Sequence, residues 1–315
     1  MTSHQTLVTG SNGFVGRHLI DRLLLEGRSV VAVTSKKSIL PEHWLGRVEM
    51  ISVPNWHLPT LRDAVGKLQF DHVFHLAAYG VSPADSDADT LVEANIELPR
   101  AMAQLCQEWK ATLVATGSCS EYATAALGHR LCETDAIVQS TSPPNYAATK
   151  AAGGVSMARR CFQLGVASSY LRLFNVFGAG EAPHRLLPSL VEKLRGRQRV
   201  PLSHGAQIRD FIHVNDVIEA CIKSEAWCVR DWQGETAVWN VCTGHGSSVR
   251  EFATMVATIL GCEPGILGFG DISIREGESP WVVGDPTGIH NAVGWRAKYD
   301  LQAGIAQTLR HLDLI

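Results

Sequence analysis

Short apolar runs alternate, along the first half of the chain, with longer stretches whose apolar positions recur at helical spacing. Strand-like runs fall at 6–9, 29–34, 48–53, 71–77 and 111–117, and helix-like stretches at 14–26, 60–69 and 87–109. Strands covered on both faces read as continuous apolar runs, whereas the helices that cover them need one apolar stripe. The alternation therefore predicts an α/β fold built on a doubly wound parallel sheet. A further helix from Tyr146 to about Leu164 leads into an apolar run from Val166 to Phe174 that reads as another central strand.

After Gly178-Ala179-Gly180 the pattern is less regular, with helix-like stretches at 185–195, 214–226 and 248–260 between loops such as Gly261–Gly270. This predicts a dinucleotide-binding domain over 1–178 and a smaller C-terminal substrate-binding lobe over 179–315, with some later segments returning to the first core. With 315 residues, 45% hydrophobic, the chain can bury a sizeable core. The formal charge of −3, with 19% charged residues and no long run of one sign, implies neither a nucleic-acid partner nor a membrane-surface helix. The opening Met1–Gln5 lacks a signal-peptide pattern and no apolar run approaches the roughly 18 residues of a spanning helix, so a cytoplasmic protein is expected. Eight scattered cysteines without a Cys-x-x-Cys pair argue against a metal site or a disulfide framework.

The stretch Leu7-Val8-Thr9-Gly10-Ser11-Asn12-Gly13-Phe14-Val15-Gly16 sets three glycines between the first strand and the first helix. Glycine permits the tight turn and lets a pyrophosphate approach backbone N–H groups at the positive end of the helix. Gly10, Asn12, Gly13, Phe14, Val15 and Gly16 are therefore candidate cofactor-binding residues. The second strand ends at Thr34-Ser35-Lys36-Lys37, where an NAD-preferring site carries an acid for the ribose 2′-hydroxyl. With Thr34 in place of an acid, Lys36, Lys37 or Arg17 can face a 2′-phosphate, so Thr34 and Lys36 join the candidate cofactor-binding residues, NADP is expected and NAD is the alternative.

Tyr146 and Lys150 lie four residues apart on one helical face, where a cation can lower the pKa of the phenol and let it work as an acid or base. That helix opens some thirty residues after a strand ending in Gly117-Ser118-Cys119-Ser120-Glu121-Tyr122, whose serine can meet the tyrosine.

Thr9-Gly-x-x-Gly-Phe-x-Gly16 and Tyr146-x-x-x-Lys150, in that context, resemble the extended short-chain dehydrogenase/reductase family, in particular its nucleotide-sugar epimerase, dehydratase and 4-ketoreductase group. The resemblance extends over essentially the whole chain. Asp71-His-Val-Phe-His75-Leu76-Ala77-Ala78 is similar to the family strand that passes alongside the cofactor, which brings in Leu76, Ala77 and Ala78 and leaves His75 a structural role. Arg172-Leu-Phe-Asn175-Val-Phe-Gly178, Arg209-Asp-Phe-Ile-His-Val-Asn-Asp216-Val, Arg275-Glu-Gly-Glu278 and Asp285-Pro-Thr…Gly294-Trp295 resemble its later signatures.

The resemblance implies a Rossmann-like fold and assigns Ser118, Tyr146 and Lys150 as the catalytic set, with Ser120 the alternative hydroxyl. It implies a nucleotide-sugar substrate, with Asn175 and the pair Arg209 and Arg275 near its diphosphate, and Ser118, Cys119 and Ser120 near its sugar. Dehydratases of this kind place Asp-Glu after the strand-end hydroxyl; Cys119 and Ser120 stand there, which argues against dehydration. Cys119 is one place short of a cysteine that some epimerase-reductases use as an acid/base, and packing is its other role. The reading reached is an NADPH-dependent reductase of a nucleotide 4-keto-6-deoxyhexose. A 4-epimerase with retained NAD, a reductase of a non-nucleotide carbonyl and a catalytically silent cofactor sensor are the alternatives. The family's dimer helices correspond to 87–109 and Tyr146–Leu164, so a homodimer is expected. Base, sugar and stereochemistry depend on loops around 79–87, 179–205 and 265–280 and stay open.

Overall fold

The computed structural model describes residues 5–35, 41–82, 84–274 and 277–315. These residues pack as two compact units, one within Met1–Ala123, Asp135–Arg172 and Ile218–Trp239, the other within Thr124–Thr134, Leu173–Val217 and Asn240–Ile315. The second unit thus takes up the chain from Leu173 and also holds Thr124–Thr134. The later return to the first unit is fixed by a helix whose Glu225 carboxylate receives both Nη1 and Nη2 of Arg28, at 2.7 and 2.5 Å.

In the first unit, β1 (Gln5–Thr9), β2 (Ser29–Thr34), β3 (Val48–Ser52), β4 (His72–His75), β5 (Thr112–Ser118) and β6 (Ser168–Leu173) join the strand Ala237–Val241 in one sheet. Its order is β3-β2-β1-β4-β5-β6 followed by Ala237–Val241, reversing direction of growth between β1 and β4. Parallel register sets Thr9 opposite both Val33 and His75, and His75 opposite Ala115. The residues that follow, Gly10, Thr34, Leu76 and Thr116, therefore share the carboxyl edge of the sheet, where open α/β sheets bind ligands at the reversal point.

Helices α1 (Phe14–Leu25), α2 (Leu58–Val65), α3 (Ala88–Val92), α4 (Leu98–Trp109) and α5 (Tyr146–Leu164) belong to this unit, as does the later helix from Ile218 on. On α1 the buried stripe is Gly16, Leu19, Ile20, Leu23 and Leu24, the spacing its sequence predicts. Helix α2 starts and stops earlier than the expected 60–69: Pro59 suits the first turn, and Gly66 takes φ +56°, which ends it. The stretch expected as one helix over 87–109 carries a π turn at Glu93–Glu97 between α3 and α4. Pro99 lacks the N–H that would meet the Asn95 carbonyl in an α-helix, and wider winding accommodates that loss. Gly153 of α5 lies over this carbonyl so closely that any Cβ there would collide with it.

The second unit has its own core, in which Leu187, Leu190 and Leu194 of α6 (Leu186–Arg195) meet Phe252 and Val256 of α8 (Val249–Ile259) and Ile305 and Leu309 of α10 (Leu301–His311). In sequence, α7 (Val214–Arg230) follows α6 and belongs from Ile218 on to the first unit, and α9 (Thr287–Val293) precedes α10. Short strands pair Asn175–Phe177 with Phe211–His213, and Ile208–Arg209 with Ser247–Ser248 and Trp281–Val282. No described helix is long and apolar enough to cross a membrane.

Candidate functional site

At the end of β1, Gly10 adopts φ +72°, and a Cβ there would lie 2.6 Å from both the Leu76 carbonyl carbon and the Ala77 nitrogen. A Cβ on Gly16 would strike the Gly10 carbonyl. The glycines thus let the β1 turn, the start of α1 and the Leu76–Ala77 backbone close on one another. Gly13 occupies the N-cap of α1 without a side-chain cap, and no acid lies in the first turn. The Ser11 hydroxyl is fully buried with no hydrogen-bond partner. Open N–H groups, a buried hydroxyl without a partner and a cleared backbone fit the pyrophosphate of a dinucleotide.

Around this turn, Asn12 Nδ2 donates to Thr34 Oγ1 at 2.8 Å, which ties the glycine turn to the end of β2. Phe14 meets His18 edge-on, at 5.5 Å between ring centroids, while Val15 is half-buried. Ala77 N–H donates to Thr9 Oγ1 at 3.3 Å, and Ala78 next to it is exposed. His75 is buried with Nδ1 2.8 Å from Thr9 Oγ1; burial, reinforced by the Lys150 charge, pushes its pKa down to about 3. A neutral ring locked between two strands is a structural role. Lys36 and Lys37 lie outside the described residues.

The strand end of β5 and the first turns of α5 bring the other candidates together. Asn145 caps α5 by accepting the Ala148 N–H at 2.9 Å, so Tyr146 and Lys150 occupy the first and second turns. Lys150 is buried and its Nζ donates to the Thr116 carbonyl at 2.7 Å, two residues before Ser118. Burial lowers the Lys150 pKa, and the Glu121 charge opposes that fall. The half-buried Tyr146 ring packs beside Gly80, where a Cβ would approach it to 3.2 Å.

Ser118 caps the short turn Cys119–Glu121: its Oγ accepts the Ser120 N–H at 3.2 Å and lies 2.8 Å from Ser120 Oγ. Helix α5 packs against this turn. Cys119 is half-buried in the turn.

Two side chains of this region, Glu121 and Tyr170, were given no role by the sequence, and Arg172 entered only as the start of a family signature. Glu121, 1% exposed, accepts the Ser118 N–H and the Tyr170 hydroxyl at 2.8 Å each and Arg172 Nε at 3.1 Å. Burial, then the Glu121 charge, pushes the Tyr170 phenol well up. Burial works against the Arg172 charge, but the neighbouring Tyr122 and Glu121 outweigh it and hold the guanidinium above its ordinary pKa. The signal was present: Ser118-x-x-Glu121 has capping-box spacing, and Ser118 and Glu121 form that box.

In the second unit, Asn175 pairs with the Asp210 backbone: its N–H donates to the Asp210 carbonyl at 3.0 Å and its Nδ2 to the same oxygen at 3.4 Å. Arg209 Nη2 donates to Glu278 Oε1 at 2.8 Å and Nη1 to the Ile208 carbonyl at 2.8 Å. Arg275 lies outside the described residues. The acids of the same string are structural. Asp210 is fully buried and accepts Thr243 N–H and Oγ1–H, Gly244 N–H and Gly284 N–H; burial raises its pKa against those donors. Asp216 accepts the N–H groups of Lys298 and Tyr299 at 2.9 and 3.1 Å.

Residues 6–242 match the profile of the NAD dependent epimerase/dehydratase family. The chain is 29% identical over 327 residues to UDP-glucose 4-epimerase of Mycolicibacterium smegmatis, covering 97% of each. It is 27% identical over 315 residues to dTDP-6-deoxy-L-talose 4-dehydrogenase (NAD(P)(+)) of Kitasatospora kifunensis, covering 95% of this chain and 93% of that one. Among solved structures, MoeE5 in complex with UDP-glucuronic acid and NAD superposes with a TM-score of 0.79 at 28% identity, covering 98% and 99% of the two chains.

Proposed function

The chain belongs to the NAD-dependent epimerase/dehydratase family, and from that premise we propose that it is an NADPH-dependent reductase of a nucleotide 4-keto-6-deoxyhexose. The observation that carries the catalytic part is the Lys150 ammonium on the Thr116 carbonyl, with Tyr146 one helical turn before it and Ser118 two residues beyond Thr116.

In this reading Ser118 Oγ turns from Ser120 to the sugar carbonyl oxygen, and Tyr146 delivers a proton to that oxygen as the carbon is reduced. Lys150 supplies positive charge beneath the phenol and holds the nicotinamide ribose. The glycine turn of Gly10, Gly13 and Gly16 holds the pyrophosphate of the cofactor, which when bound supplies the hydride. Asn175, Arg209 and Arg275 serve the substrate diphosphate, where a guanidinium fork matches phosphate oxygens. Cys119 and Ser120 bound the sugar.

NADP is favoured because the end of β2 is Thr34 and carries no acid. Reduction is favoured over dehydration because Cys119 and Ser120 stand where an acid pair would serve elimination. A 4-epimerase retaining NAD is the second reading, supported by the whole-length likeness to an epimerase and by the NAD bound in the 28%-identical structure. A cytoplasmic homodimer through the helical stretch 87–109 and α5 is part of the proposal; Val155 and Phe162, exposed on α5, supply an apolar face for it.

The test is turnover of a panel of nucleotide 4-keto-6-deoxyhexoses with NADPH and with NADH, followed at 340 nm and by the sugar product. Net oxidation of NADPH, lost by 10²–10⁴-fold in Tyr146→Phe while cofactor affinity holds, is expected. Sugar interconversion without net cofactor consumption replaces this reading with the epimerase.

A further inference from the structure

The structure carries a buried charge that the proposed chemistry does not use. Isolating a carboxylate from water is costly unless its oxygens are fully met, and a buried ion pair is often no more stabilising than apolar packing. Glu121 nonetheless sits 1% exposed at the base of the Ser118 turn.

Its surroundings are built around it. Oε1 accepts from Ser118 N–H and Tyr170 Oη–H, and Oε2 from Arg172 Nε. Any Cβ on Gly117 would collide with Oε1 and with the Tyr170 ring, and one on Gly154 of α5 would reach 2.7 Å from that ring. Two glycines, one on β5 and one on α5, are thus spent on seating this carboxylate and its tyrosine. The Tyr170 hydroxyl is also 3.2 Å from the Lys150 carbonyl. Lys150 is therefore joined to the end of β5 twice, by its Nζ on Thr116 and by its backbone through Tyr170 and Glu121 to the Ser118 N–H.

We infer that Glu121 is a positioning residue for Ser118, Tyr146 and Lys150, holding the turn that carries Ser118 and keeping a negative charge beside the Lys150 ammonium. This rests on the function proposed above. A carboxylate that merely neutralised Arg172 would need neither the Ser118 N–H nor the link to Lys150. Among the described residues, the titratable groups that act on the Lys150 charge or touch its residue are Glu121 from the turn, His75 from β4 and Tyr170 from β6, whose hydroxyl reaches the Lys150 carbonyl; Tyr146 lies one turn before it on the same helix. The Glu121 charge favours protonated Lys150, so its removal shifts that equilibrium toward the neutral amine at any given pH.

The experiment compares the full-length protein with Glu121→Gln and with the double variant Glu121→Gln, Arg172→Gln, which leaves no unpaired guanidinium if the single variant folds poorly. Expected for both is a kcat lowered at least tenfold, a cofactor Kd within twofold of the parent, and an alkaline limb of the kcat profile moved to lower pH. Parental kcat with an unmoved limb in a folded variant overturns the inference, as does full recovery in the double variant. A parent that turns over no nucleotide sugar rejects the proposed function instead. The inference is then read by NMR titration of ¹³C-labelled lysine, with Lys150 identified through Lys150→Arg: Glu121→Gln lowers its midpoint, and an unmoved midpoint refutes it.

Discussion

The turn after β1 leaves a hydroxyl and a helix start unmet, whereas around Arg209 the charged groups meet partners within the protein and the unmet atom is a neutral one, Gln207 Oε1. Ser11 Oγ is buried without a partner and α1 opens without a side-chain cap. In the second unit the Asp210 carboxylate takes four donors, and Arg209 is already held by Glu278. In the first region a ligand supplies missing partners at little cost of rearrangement. In the second, the diphosphate proposed to bind there would have to compete with an existing ion pair. Sites of the first kind are recognised by what is unsatisfied, and sites of the second by which charge can be released.

Gly10→Ala breaks the first side of the comparison and has the largest expected effect. The substitution meets φ +72° and backbone 2.6 Å away, so neither the turn nor Leu76–Ala77 can stay in place. Cofactor affinity, measured by fluorescence titration with NADPH and NADH, is expected to fall at least a hundredfold, about 3 kcal/mol. Retained affinity would show that the cleared backbone is not the cofactor cradle.

Asp210→Asn tests the second side through stability. An amide keeps the shape but turns an acceptor into a donor facing N–H groups, and leaves at least one buried donor unmet. The expected cost is about 3 kcal/mol, in the range for hydrogen bonds to charged groups, read as a fall in the urea midpoint. Cofactor affinity should not change, since every partner of Asp210 is in the second unit. An unaltered midpoint would show that the Asp210 bonds add nothing to stability.

What the sequence disclosed follows the same division. The strand and helix alternation, the glycine turn and the Tyr146–Lys150 spacing were legible because each depends on residues within a few positions of one another. The π turn at Glu93–Glu97 was not, because its cause is shared between Pro99 and the approach of Gly153 from another helix. Glu121 was overlooked as a polar residue in a loop, although its capping-box spacing from Ser118 was visible; its burial depends on Tyr170 and Arg172, about fifty positions later. A return of later segments to the first core was expected, but nothing local showed that Ile218–Trp239 is the one, since the Arg28–Glu225 pair spans 197 positions. The string from Arg209 to Asp216 was read as a family signature with Arg209 as its ligand-facing residue; it did not show that Asp210 and Asp216 spend their carboxylates on backbone N–H groups of later loops.

The smallest expected effect sharpens that last distinction. If Arg209 is the releasable charge of its loop, Arg209→Met should weaken competitive inhibition by nucleoside diphosphates about tenfold, near 1.4 kcal/mol, without lowering the urea midpoint as Asp210→Asn does. Glu278→Gln removes the carboxylate that a diphosphate must displace, so inhibition should tighten, by less than threefold because Glu278 is partly solvated and the pair is screened. Equal weakening in both variants would mean that Glu278 orients Arg209 for the ligand and does not compete with it. The loops around Asp210 would then be preorganised for the diphosphate in the way the glycine turn is for the cofactor, and the contrast between the two regions would be lost.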